Sequence, residues 1–201
     1  MSGAGRPAPP PPPPSAVAVR EDWRRALHAA SAALGPAALA LPEHTATLAL
    51  GGIAFLAAAL EVLRHRAAPA RRLIDTVAHT LFRPTEQRGL SGPTALAWGY
   101  FAAWAIFGPR HAAAAIVVGG LADPAAALIG RRYGRGPGKS LAGSAACAGA
   151  GAAALAAWGF ALPIAVAGGL VAAVAERAPW RGADNILVPL AVGGTLALLG
   201  A

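Results

Sequence analysis

A single aspartate inside an otherwise apolar run is the first residue here that needs a chemical explanation. Asp123 stands in IVVGGLADPAAALIG, about seven residues, or roughly 10 Å at 1.5 Å per residue, before that run ends. A carboxylate at such depth costs several kcal/mol unless it is paired, hydrated or bound to a metal, and ionisable residues within spans mark functional sites by default. The plain alternative is an aspartate satisfied by a neighbouring arginine. Pro124 follows it and removes a helix hydrogen bond, so a local break that opens carbonyls to a water-filled cavity is expected there.

The next segment, GRRYGRGPGKSLAGS at 130–144, crowds Arg131, Arg132, Arg135 and Lys139 among glycines just before another apolar run. Glycines let backbone N–H groups approach an anion, and the N-terminus of the following helix adds its positive dipole end. Arg131, Arg132, Gly138, Lys139, Ser140, Gly143 and Ser144 are therefore candidate phosphate-binding residues. Lys139 is the only lysine among 17 basic residues, which points to a need for a compact point charge rather than a planar fork. The competing use of the arginines is to anchor a loop on the cytoplasmic side. A Walker A loop is excluded: its first glycine falls on Tyr133, and no strand precedes the segment.

Glu176 closes a later apolar run, and Asp184 and Asn185 follow in APWRGADN. With Asp123, the two acids offer hard oxygen ligands for Mg²⁺, which usually takes one or two carboxylates plus phosphate oxygens. Asn185 joins the phosphate-binding candidates, while Asp184 or Asn185 also suits the N-cap of the last helix. Upstream, FRPTEQRGLSG supplies Arg83 as a phosphate clamp and Glu86 to orient it, or the two as an ordinary weak ion pair. His28, in WRRALH, stands at a membrane entry and can contact the substrate or simply pack.

The elements that must position these residues are apolar helices. The chain of 201 residues is 56% hydrophobic and only 13% charged, against roughly a quarter charged for a soluble domain. Its mean hydropathy is +0.51. The net charge of +8 does not point to nucleic acid, because the arginines are interleaved with apolar runs rather than forming one basic stripe. Cys147, the single cysteine, permits no internal disulfide and no thiolate metal cage. Alanine and glycine fill the apolar runs, so helices can approach closely through small side chains.

Apolar segments near 26–41, 45–63, 93–108, 111–129, 141–159, 161–175 and 186–200 predict an all-α, polytopic transmembrane bundle of about seven spans. Six remain possible, since Pro36, His28 and Pro163 interrupt or open the weakest segments. With the N-terminus inside, only Arg110 of the 17 basic residues falls on the outer side, which predicts N-in, C-out topology with the candidate site on the cytoplasmic face of the cell membrane. RRLIDTVAHTLF places Leu73, Ile74, Val77 and Leu81 on one face and predicts an interfacial helix. Residues 1–22 read as a disordered, proline-rich tail rather than a signal peptide, and 23–201 as one membrane domain. No internal repeat supports an inverted-repeat carrier.

The order RRALH, FRPTEQRGLSG, LADPAAALIGRRYG, GKSLAGS and RGADNILVP resembles the family of dolichol kinases, phytol kinases and CTP-dependent diacylglycerol kinases. The likeness runs from about Arg24 to Pro189, with DPAAALIGRRYG, KSLAGS and DNILVP as its most specific parts. Ala122 stands where the family often has glycine. The resemblance implies CTP as phosphoryl donor with Mg²⁺, and a polyprenol, phytol-like alcohol or diacylglycerol as acceptor. Asp123 and Lys139 become the expected catalytic residues, Asp123 as metal ligand or general base, and Asp123, Glu176 and Asp184 the expected metal set. Two rivals remain. A phosphatidate cytidylyltransferase also uses CTP, but only RGADN stands where its acidic signature is expected. A small transporter or scaffold accounts for the charge pattern and not for the lone lysine.

Overall fold

The computed structural model describes residues 14–77, 90–134, 138–178 and 182–200. Among them there are eight helices and no strand: α1 (Pro14–Ser31), α2 (Leu34–Leu39), α3 (Glu43–Arg66), α4 (Ala68–Val77), α5 (Gly92–Tyr133), α6 (Leu141–Ala157), α7 (Leu162–Glu176) and α8 (Ala183–Leu198). The all-helical expectation therefore holds. Helix α1 begins at Pro14, within the segment 1–22 read as a disordered tail.

Helix α5 is the centre of the bundle and packs against α1, α2, α3, α6 and α8, while α7 closes the layer against α6 and α8. Its 42 residues would reach about 63 Å if straight, twice the roughly 30 Å of a bilayer core. It is not straight. Gly108 takes φ 75°, ψ 170° immediately before Pro109, a backbone state open to glycine, and proline cannot donate the next helix hydrogen bond. The two segments read at 93–108 and 111–129 are thus the two limbs of one broken helix. Pro124, by contrast, lies in unbroken helical backbone, so the break expected beside Asp123 does not occur.

The segment read as one run at 26–41 is two helices. α1 stops at Ser31, whose hydroxyl meets Tyr100 Oη at 2.9 Å, and α2 restarts at Leu34. At the end of α3, Arg64 Nε binds Asp75 Oδ1 at 2.7 Å and Arg71 Nε donates to the Arg64 carbonyl, folding α4 back on its predecessor. Helix α4 covers residues 71–77 of the segment read as an interfacial helix; 78–82 lie outside the described residues.

Small side chains set the helix spacing, as a Cβ on Gly169 of α7 would collide with the backbone of α6 at Ala148 and Ala152. Two helices, α3 and α5, are long and apolar enough to cross a membrane, and α6, α7 and α8 are shorter apolar helices of 17, 15 and 16 residues. The outer face of α7 carries Leu162, Val166, Leu170 and Val174 at every fourth position, all exposed.

Helix ends alternate between two faces of the bundle. The end of α3 meets the start of α5 through Glu61 and Ser91, and Asn185 at the start of α8 donates to the Gly92 carbonyl at 3.0 Å. On the opposite side, Arg110 stacks over Phe160, in the turn between α6 and α7.

Candidate functional site

Three carboxylates converge where the second limb of α5, the end of α7 and the first turn of α8 meet. Oxygens of Asp123, Glu176 and Asp184 all lie within 4.8 Å of one another. Lys139, in the segment between α5 and α6, reaches into them: its Nζ is 3.1 Å from both Glu176 Oε1 and Asp184 Oδ2, and it also donates to the Glu176 carbonyl. Burial works against the Lys139 charge, but Asp184 and Glu176 beside it more than offset this and hold the ammonium above the ordinary lysine range. Glu176 is only 5% exposed, so its carboxylate depends on this partner. One cation against three acids leaves an excess of negative charge, and hard oxygens in this number suit Mg²⁺ or a similar cation.

These groups border a cleft of about 400 Å³, within the size range of small-molecule sites. Its walls hold Asp123, Arg131, Gly138, Lys139, Ser140, Gly143, Ser144, Glu176 and Asp184 together. The sequence-predicted residues are thus drawn from the ends of four helices into one space, with Arg131 exposed at its rim.

Not every candidate faces the cleft with a free group. Ser140 is the N-cap of α6 and accepts from Gly143 N at 3.1 Å, which leaves the Gly143 N–H engaged. Gly143 also serves helix contact, since a Cβ there would stand 2.8 Å from the Ala126 carbonyl of α5. Ser144 Oγ accepts from Arg177 at 3.0 Å. Arg132 lies over the ring of its neighbour Tyr133, and Asn185 ties α8 to α5 rather than lining the cleft. Arg83 and Glu86 lie outside the described residues. His28 is buried on α1, with Nδ1 at 3.4 Å from Asp123 Oδ2.

Two groups escaped the sequence reading as site candidates. Arg25 lines the cleft from α1; it and Arg131 share Asp22 Oδ1 at 2.8 and 3.0 Å, which sets two guanidiniums side by side. The spacing of Arg25 and His28, three apart on one helix, was the available signal. The second group is a buried polar knot. Glu61 of α3 accepts from Ser91 N, Ser91 Oγ and Thr94 Oγ1, the last at 2.6 Å, and His65 Nε2 lies 3.2 Å away. Glu61 interrupts an apolar run just as Asp123 does, so the same rule applied to it would have found it.

No family model, no curated protein and no solved structure matches the chain.

Proposed function

We propose that the chain is a membrane-embedded kinase that transfers the terminal phosphoryl group of CTP, with Mg²⁺, to the hydroxyl of a membrane lipid alcohol. The observation that carries this reading is the convergence of Asp123, Lys139, Glu176 and Asp184 on one cleft that Arg25 and Arg131 also border. Phosphoryl transfer requires positioning and charge neutralisation more than covalent chemistry from the protein. A polyphosphate in the cleft meets Lys139 as a point charge and the two arginines as planar forks. Asp123, Glu176 and Asp184 would hold the cation, which when bound neutralises phosphate charge. The choice of CTP and of a lipid alcohol rests on the sequence resemblance.

A membrane setting with about seven spans, N-terminus and cleft on the cytoplasmic side, is part of the same proposal. It is supported by the long apolar α3 and α5, by the Gly108 break that divides α5 into two limbs, and by the exposed apolar stripe on α7. Arg25, Arg131, Lys139 and Arg177 gather at the cleft end, while Arg110 sits by the α6–α7 turn, the asymmetry that the positive-inside rule produces.

The test is turnover of purified, detergent-solubilised protein with γ-labelled CTP, Mg²⁺ and a panel of lipid alcohols. Labelled lipid phosphate with CDP as by-product is the expected result. Pyrophosphate and a CDP-lipid formed from CTP and added phosphatidate, with no transfer to any alcohol, would replace the kinase by a cytidylyltransferase, and inactivity on phosphatidate and on every alcohol would leave a non-catalytic membrane protein.

A further inference from the structure

The outer face of α3 carries a groove of about 550 Å³, lined by Phe55, Ala58, Ala59, Val62, Leu63 and Arg66. These positions recur at three- and four-residue steps, so they form one stripe of the helix. The two alanines make a hollow between larger apolar side chains. At one end Phe55 is set against the rings of Trp98 and Phe101 on α5, with centroids 5.0 and 6.4 Å away, and at the other end stands Arg66. The helix rises about 17 Å from Phe55 to Arg66 at 1.5 Å per residue, close to the roughly 15 Å of a single leaflet, half of a bilayer core of about 30 Å. The groove is one leaflet deep, with a cation at headgroup level. None of its lining residues borders the cleft.

The charge at that end is unbalanced. Arg64 is paired with Asp75, and Arg71 donates to the Arg64 and His65 carbonyls. Glu61 is occupied by Ser91, Thr94 and His65. Neither Arg66 nor Arg72 meets an acid among the described residues. A guanidinium binds phosphate oxygens as a planar fork, so Arg66 beside an apolar hollow calls for a ligand with one anionic head and a hydrocarbon chain. A second copy of the protein is a poor occupant: a two-fold interface brings the same patch of each subunit together, which in one membrane orientation sets Arg66 against Arg66.

We propose that this groove binds an anionic glycerophospholipid of the cytoplasmic leaflet, with one acyl chain along Ala58, Ala59 and Val62 towards Phe55 and the headgroup phosphate on Arg66. The site rests on the membrane setting of the chain and not on the kinase reading.

Cys147 is the only cysteine and is buried, so Val62→Cys places one bimane fluorophore in the groove. Full-length protein is reconstituted in phosphatidylcholine bilayers and titrated with chain-brominated phosphatidylglycerol or chain-brominated phosphatidylcholine, without nucleotide or alcohol. The anionic lipid is expected to reach half-maximal quenching at about one-fifth of the mole fraction needed by the zwitterionic one, the partition gained from one basic side chain near anionic lipid. Arg66→Gln should make the two lipids equal. Ala59→Leu, which fills the hollow and leaves Arg66 in place, should remove most of the preference, and bimane at Leu170→Cys on the outer face of α7 should show none. Equal quenching by both lipids at Val62 overturns the site, as does a preference that survives Arg66→Gln or appears equally at Leu170. A preference kept in full by Ala59→Leu overturns the groove as the seat of the chain. Quenching at Leu170 with none at Val62 would show that protein covers α3 and overturns the lipid. Absence of quenching at both positions overturns the membrane setting itself, while failure of the kinase assay leaves every one of these results unchanged.

Discussion

Lys139 Nζ lies 3.1 Å from Asp184 Oδ2 across a separation of 45 residues, and the same ammonium touches Glu176 at the end of α7. One lysine thus fastens the segment between α5 and α6 to the last two helices while lining the polar cleft. Lys139→Ala is expected to lower kcat by about 10²- to 10³-fold, the usual cost of deleting one group that stabilises transition-state charge. Lys139→Arg should not restore the rate, since a planar fork cannot replace a point charge in the same space. Steady-state turnover, beside a fluorescence check that both variants reach the membrane, decides this; full activity in Lys139→Ala removes the phosphate role.

The three carboxylates should act as one cation site. Mn²⁺ in place of Mg²⁺ gives an electron-paramagnetic signal for binding by the purified protein. Asp123→Asn, Glu176→Gln and Asp184→Asn are each expected to weaken Mn²⁺ binding about tenfold or more, because affinity in oxygen sites follows ligand charge. Chelation with EDTA should abolish turnover reversibly. Unchanged Mn²⁺ binding in all three variants would leave the acids as partners of Lys139 alone.

The Lys139 pairing also sets an alkaline limit. Its folded-state pKa is held above the ordinary 10.5 by Asp184 and Glu176, against the effect of burial. A base with a raised folded pKa contributes stability that is complete below the unfolded value and is lost as pH rises through the folded one. Thermal stability should therefore fall above pH 10.5 more steeply in the native chain than in Lys139→Met. A melting series in detergent across that range reads the difference, and parallel slopes would deny the pair its contribution.

Much of this arrangement was legible because apolar sequence makes charge conspicuous. Asp123 and Glu176 stood out against alanine and leucine, and Lys139 stood out among arginines. From α3 onward the helix ends followed from the same runs to within about four residues, whereas α1 starts at Pro14, twelve residues before the run at 26–41. What periodicity does not carry is partnership. Ser140, read as a phosphate ligand, lines the cleft and also caps α6; Pro124 reads as a break, yet the chain breaks at Gly108, where glycine and proline act together. Arg25 was visible only as loop charge, because its place beside Arg131 is fixed by the packing of α1 on α5.

Arg25 and Arg131 share Asp22, and Glu21, 3.7 Å from Arg25, also pairs with Arg24 at 3.0 Å, so two carboxylates serve three guanidiniums until an anion arrives. Arg25→Gln is expected to raise KM for CTP about tenfold with a smaller change in kcat, the pattern of lost binding that is common to ground and transition states. A fall in kcat at unchanged KM would instead assign Arg25 to the transition state.

Glu61 supplies the contrasting case of a buried acid whose hydrogen bonds are filled. It holds Ser91 and Thr94 at the start of α5, and none of these three lines the cleft. Glu61→Ala would leave the Ser91 N–H buried without its acceptor, at about 1–3 kcal/mol for such a group, and the Ser91 and Thr94 hydroxyls with only each other at 3.0 Å and the Ala57 carbonyl at 3.5 Å. The variant should melt well below the native protein yet, at a temperature where it remains folded, keep the native KM for CTP. Ser91→Ala removes only one donor and should show a smaller loss of stability in the same direction. If Glu61→Ala keeps its thermal stability but loses turnover, the knot between α3 and α5 belongs to the chemistry and not to the scaffold.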